Sequence, residues 1–384
     1  MSQQQWGYPQ QPQRATWPAP QGAPWPNQGW QQPNQAAPWP NQGWQQPRPP
    51  KRRSSGLATV LKVALTIAVI LFAASILRGL ISGVQSAGGT SGGTAGGTSG
   101  GSSTTAPLDP GAPSAQYVNE DYSPPPADMN PPAIPGPRTL DAANSLTTAN
   151  PVYGQSVPVP TNCSMASLDM SRASAAQMQA HFNELMGCLM TVYALPVSQA
   201  GFQMPRPPVI VYSSPIKTAC GDFDDVNAAY CSGDQRVYYA RPLLQAFPAA
   251  VAQADYAAEM ILAHEFGHAI QARTAILISE KVLEERASSE EAAMVLSRRT
   301  EVQADCLAGQ YIRSAAQSQS LDAADLAALG KLAYNLGDDV LTGRAGYSGD
   351  HGTGEARQRW FERGLSSSSI GTCNTFTAAA SQVR

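Results

Sequence analysis

The first 108 of the 384 residues contain no aspartate or glutamate, the whole chain holds only four histidines, and no Cys-x-x-Cys pair occurs. The missing acids leave that stretch with seven positive charges, from Arg14 to Arg78; taken from the chain total of −3, they leave −10 for the remainder. An acidic C-terminal part offers no basic patch for phosphates, so nucleic acid is excluded as a main partner. The lack of Cys-x-x-Cys excludes a zinc ribbon and a thioredoxin-like redox site. Cys163, Cys188, Cys220, Cys231, Cys306 and Cys373 all follow residue 160. An even set fits three disulfides in an oxidising compartment, although six cysteines leave fifteen pairings open.

Residues 1–50 hold twelve of the 32 prolines and six of the seven tryptophans, with Arg14 and Arg48 as the only charges. Such a stretch has too few aliphatic residues to build a core. Its ten-residue segment PWPNQGWQQP, at 24–33, recurs at 38–47. The segment reads as a solvated spacer, with docking of a cytoplasmic partner through Trp and Pro as the alternative.

Residues 57–77 (LATVLKVALTIAVILFAASIL) would form a helix about 31 Å long, which matches the hydrocarbon thickness of a lipid bilayer. Lys62 lies near one end, where its stem reaches the headgroups. Arg48, Lys51, Arg52 and Arg53 precede the run and Arg78 follows it. This asymmetry keeps the N-terminus in the cytoplasm and puts every cysteine outside, at the cell membrane. The expected layout is a tail over 1–56, a single span over 57–81, a Gly/Ser/Thr-rich then Pro-rich tether over 82–145, and a folded domain over 146–384. In that domain periodicity predicts helices over 171–193, 255–279, 280–314, 320–336 and 355–365, the last with Gly364 as its C-cap. Strands are expected over 207–212 and 236–240. The fold class is α+β, mostly helical with a small sheet.

His264-Glu265-Phe266-Gly267-His268 is an H-E-x-x-H motif. Four residues on a helix turn about 400°, so both imidazoles face one side and form a clamp for Zn2+. Glu265, rotated about 100° away, reaches a metal-bound water without being a ligand. A catalytic zinc takes a third protein ligand, and Glu301 is the best downstream candidate. Asp305, one turn further on, can accept a hydrogen bond from the other nitrogen of a zinc-bound histidine. Gln271 and Thr274 stand where a metzincin needs Gly and His, which excludes that class. His351 heads a Gly-rich loop before a helix, a place from which it can donate to an oxyanion or simply cap the loop. His181 reads as a packed or surface histidine.

Segments 264–271 (HEFGHAIQ), 301–309 (EVQADCLAG) and 351–365 (HGTGEARQRWFERGL), in this order, resemble the bacterial family of putative neutral zinc metallopeptidases. The resemblance covers most of residues 150–376. It implies a zincin-like fold in which two helices hold the metal and a strand lines the substrate, with 236–240 as the candidate to pair with an extended peptide. It also implies bridges Cys220–Cys231 and Cys306–Cys373, and so leaves Cys163 with Cys188. The expected function is a membrane-anchored zinc peptidase acting on peptides or proteins outside the cytoplasm. His264, His268 and Glu301 would hold the metal, Glu265 would act as base, and His351 would assist. The alternatives are a zinc amidase acting on cell-wall peptides and a membrane-tethered interaction protein without catalysis.

Overall fold

A computed structural model of the chain describes residues 116–224 and 226–384, which fall within one compact unit. The expected tail, membrane span and Gly/Ser-rich part of the tether lie outside the described residues. Among those described, no helix is long and apolar enough to cross a membrane.

The helices are α1 (Leu140–Thr148), α2 (Ala175–Gln199), α3 (Ala249–Ala252), α4 (Ala257–Arg273), α5 (Ile276–Glu284), α6 (Glu290–Ala315), α7 (Ala323–Asn335), α8 (Asp338–Thr342) and α9 (Gly354–Ser366). The strands are β1 (Val209–Tyr212), β2 (Ile216–Thr218), β3 (Gly221–Phe223), β4 (Ala228–Cys231) and β5 (Arg236–Ala240). The architecture is α+β, mostly helical with a small sheet. Polar caps set the helix starts: Ser174 and Gln177 form a capping box at α2, as Asp322 and Asp325 do at α7, while Ser289 and Thr353 cap α6 and α9.

Every residue of α4 except His268 is buried. A helix buried on all sides belongs in the middle of a fold, and α4 packs against β4, β5, α2 and α6, with its Glu, His, Gln and Arg side chains answered by partners. Two glycine contacts bring the helices around it close together. A Cβ on Gly267 of α4 would come within 3.0 Å of Ala304 Cα on α6. A Cβ on Gly364 of α9 would overlap the Cys306 carbonyl of α6. Gly364 therefore sits inside α9 as a contact point and is not its C-cap, which is Ser367. The helical stretch expected as 255–279 is interrupted at Ala275, which takes a left-handed φ of 64°. The two parts become α4 and α5.

The main sheet has the order β1-β5-β4, with β1 parallel and β4 antiparallel to β5. Strand 236–240 is thus β5, hydrogen-bonded on both sides, and cannot pair with a peptide. The edge beside α4 belongs to β4. Hydrophobicity marked β5 because Val237, Tyr238, Tyr239 and Ala240 are buried, and burial on both faces is a property of the centre of a sheet, not its rim. The β2–β3 hairpin is tied to β4 by Cys220–Cys231. The other bridges are Cys163–Cys188, which anchors α2, and Cys306–Cys373, which joins α6 to the C-terminal segment. These are the pairs that the resemblance implies.

Folded structure extends N-terminal of residue 146. Residues 116–137 form a Pro-rich strap across the domain. The Val118 N–H donates to the Pro160 carbonyl and the Asp128 N–H to that of Arg206. Arg273 Nη1, at the end of α4, donates to the Pro132 carbonyl at 2.8 Å, and Gln235 Nε2 donates to the same oxygen at 3.0 Å. Proline lacks an N–H but keeps its carbonyl, so a Pro-rich segment can be fastened by Arg and Gln side chains. Composition alone reads the same residues as a tether.

Candidate metal centre

Helix α4 presents His264 and His268 on one face, and the close contact at Gly267 brings Glu301 of α6 opposite them. The two Nε2 atoms are 3.2 Å apart. Glu301 Oε2 lies 3.4 Å from His264 Nε2, and its Oε1 lies 3.5 Å from His268 Nε2.

The hydrogen-bond network fixes both tautomers. His264 Nδ1–H donates to Asp305 Oδ1 at 2.8 Å, since an ionised carboxylate can only accept. His268 Nδ1–H donates to Gln271 Oε1 at 2.8 Å. The Gln271 amide is oriented by its own Nε2, which donates to the Thr300 carbonyl and to Gln303 Oε1. With both Nδ1 atoms donating elsewhere, the two Nε2 atoms face each other across 3.2 Å beside a carboxylate, each a lone-pair donor once a cation displaces any proton held there. Lone pairs converge in this way around a cation. Ligands of a tetrahedral zinc, at about 2.05 Å from the metal, stand about 3.3 Å from one another, so the three donors fit the ion in spacing and in chemistry.

Electrostatics agrees with this arrangement. Burial would raise the Glu301 carboxyl, but His268, His264 and His351 hold it well below its ordinary value. Burial disfavours charge on His264, yet Asp305 and Glu301 hold the metal-free imidazole up at about 9. Burial would likewise raise Asp305, and Arg357 followed by His264 keeps it lowered.

Glu265 points to the other side of the clamp, where its Oε2 accepts the Tyr230 N–H of β4 at 2.8 Å. Antiparallel pairing alternates. The Ala240 N–H bonds to the Asn227 carbonyl, so Ala228 and Tyr230 turn their backbone groups away from β5, toward Glu265. The candidate base thus stands at the free edge of the sheet.

His351 lies in the loop between α8 and α9. Its Nδ1 is 2.9 Å from Asp350 Oδ1 and 3.3 Å from Asp338 Oδ1, and Asp338, then Asp350, push it up to about 10. Asp338, Asp350 and His351 also bring ligand-type atoms together. Asp338 Oδ2, however, is already taken by the N–H groups of Gly349, His351 and Gly352, so the aspartate orients the loop and its histidine. His181 stands apart from the centre, buried and 2.5 Å from Glu259.

All the residues expected at the metal are therefore found together: His264, His268 and Glu301 converge, Asp305 supports His264, and Glu265 stands alongside. Four participants were not anticipated. Gln271 and Asp338 orient histidines, the Tyr230 N–H holds the base, and Arg357 grips Asp305 through Nε at 2.8 Å and Nη2 at 2.9 Å. Arg357 falls within the segment 351–365 that carries the resemblance, the one signal that could have marked it.

Comparison with known proteins gives a consistent result. The profile of a family described as "Putative neutral zinc metallopeptidase" matches residues 150–376. The Escherichia coli K12 protein named "Uncharacterized protein YpfJ" is 32% identical over 178 residues, covering 44% of this chain and 62% of that protein. "Uncharacterized protein Rv2575" of Mycobacterium tuberculosis H37Rv is 29% identical over 192 residues, covering 45% of this chain and 64% of the relative. The chain thus spans less than two thirds of the length of these relatives. No solved structure matches it.

Proposed function

The chain belongs to the family of putative neutral zinc metallopeptidases, and from that premise we propose that it is a zinc-dependent peptidase of zincin-like fold, anchored in the cell membrane and acting outside the cytoplasm. The observation that carries the catalytic part is the convergence of His264 Nε2, His268 Nε2 and Glu301 at zinc-like spacings. The hydrophobic run 57–77, the basic residues before it and three disulfides support the location.

His264, His268 and Glu301 would hold the ion, and when bound it supplies Lewis acidity to the attacking water and the scissile carbonyl. Glu265 accepts the proton of the attacking water and passes it to the leaving amine. An extended substrate pairs with the outward backbone groups of Ala228 and with the Tyr230 carbonyl, beside the Tyr230 N–H that holds Glu265, which sets its scissile bond next to that carboxylate. His351, held as an imidazolium, donates from its remaining ring nitrogen to the oxygen that gains charge.

The test is metal content and peptide cleavage of the full chain in detergent. One zinc per chain is expected in the parent and a marked loss in Glu301→Gln. Glu265→Gln should keep its zinc and lose cleavage by about 10²–10⁴-fold. A well-folded parent that takes up no zinc would refute the proposal.

A further inference from the structure

Arg357 is 52 residues from Asp305 and 93 from His264 in sequence, yet its guanidinium reaches both. Nε donates to Asp305 Oδ2 and Nη2 to Oδ1, a two-pronged grip on one carboxylate. Nη2 also lies 3.4 Å from His264 Nδ1, and Nη1 donates to the Leu336 carbonyl at the end of α7. The pair is almost wholly removed from solvent, with 5% of the Arg357 side chain and none of Asp305 exposed.

A carboxylate turns easily about its terminal torsion. Asp305 cannot, because both of its oxygens are engaged by a planar fork that α9 and α7 hold in place. The lone pair of Oδ1 that receives the His264 Nδ1–H is therefore fixed in direction. The imidazole is fixed with it, and its Nε2 is aimed between His268 and Glu301. Lysine offers a point charge and no fork, so it would compensate the buried anion without orienting it. The grip depends on α9 lying close to α6, and Gly364 against Cys306 and Gly309 against Phe361 provide that closeness.

We infer that Arg357 is a positioning residue of the metal centre: by clamping Asp305 it fixes the His264 imidazole and thereby sets the affinity for the metal. This rests on the zinc reading given above, and it makes α9 a third helix of the site beside the two that carry ligands.

The experiment measures zinc dissociation constants by chelator competition in the full chain in detergent, for the parent, Arg357→Gln, Arg357→Lys, Asp305→Asn and the Asp305→Asn/Arg357→Gln double variant. Near-ultraviolet circular dichroism of each metal-free protein reports folding. Arg357→Gln should bind zinc about 10–100-fold more weakly, as for other residues that orient a ligand, with Arg357→Lys in between. The double variant should lose no more than Asp305→Asn alone, because Arg357 acts through Asp305. A purely structural role would instead give losses that multiply, and that result overturns the inference. Parent-like zinc affinity in a folded Arg357→Gln overturns it as well. Should Arg357→Gln fail to fold, Arg357→Lys decides: parent-like affinity refutes, weakened affinity supports. A parent that binds no zinc refutes the metal centre itself, a separate outcome visible before any variant is compared.

Discussion

Glu280 on α5 is fully buried and neither of its carboxylate oxygens has a hydrogen-bond partner, although Lys281 Nζ comes within 3.5 Å. Burial raises its pKa from 4.5 to about 7. Below pH 4.5 the group is neutral in the folded and unfolded chain alike. As the pH rises toward 7 only the unfolded chain ionises freely, so stability falls and then levels off. Glu280→Gln should therefore stabilise the protein at pH 8, by about 1–3 kcal/mol, and have little effect at pH 4.5. Thermal melts at the two values check this. His351 offers a second test. Asp338 and Asp350 keep it charged through neutral pH, so Asp338→Asn should lower kcat/KM more at pH 8 than at pH 6. At this scale the sequence reveals whatever is spaced along one helix. His264, Glu265 and His268 are neighbours, and Glu301 and Asp305 are one turn apart. Arg357 and the Tyr230 N–H become functional only through partners brought by folding, and the latter has no side-chain signature at all; Gln271 shares a helix with His268 but is oriented by Thr300 and Gln303 of α6.

Between elements, glycines decide whether the site closes. The His264 and His268 ligands and Glu301 ride on different helices, and Gly267 sets the distance between them. Gly267→Ala would push against Ala304 and should destabilise by about 1–3 kcal/mol, with a fall in zinc affinity that a lesion remote from α4 and α6 would not cause. Gly364→Ala would overlap the Cys306 carbonyl outright, whereas Gly267→Ala only crowds Ala304, so the larger drop in melting temperature is expected at Gly364. The two melts and a zinc titration test both statements. The positions of β1 and β5 were legible for a local reason, and 236–240 matches β5 residue for residue, whereas the short β2, β3 and β4 were not expected. The order of the strands was not legible, because pairing joins residues far apart in sequence and period-two patterning says which face is buried without saying which strand lies at the rim. The glycine in α9 was misread for a related cause. A glycine near a helix end suggests a cap, and only the neighbouring α6 shows it to be a point of close approach.

For the whole molecule, the strap shows that the domain does not begin where its helical periodicity does. A chain starting at residue 146 loses the carbonyls of Pro132 and Ala133 and leaves buried Arg273, the last residue of α4, without those acceptors. It should melt at a lower temperature than one starting at residue 116, by an amount worth about 1–3 kcal/mol. The bridge Cys306–Cys373 acts at the same scale. Cys306 directly follows Asp305, and Gln303, which orients Gln271, donates to the Cys373 carbonyl. The bridge spans 67 residues, and a loop of that length corresponds to roughly 4 kcal/mol in the chain-entropy model. Phosphine reduction of the metal-free protein should lower its melting temperature and weaken zinc uptake together. On the extracytoplasmic reading proposed above, this bridge would close only after export from the reducing interior, so the support it gives to Asp305 and Gln303 would be complete only outside. A peptidase completed in that order would spare the proteins of the cell that makes it.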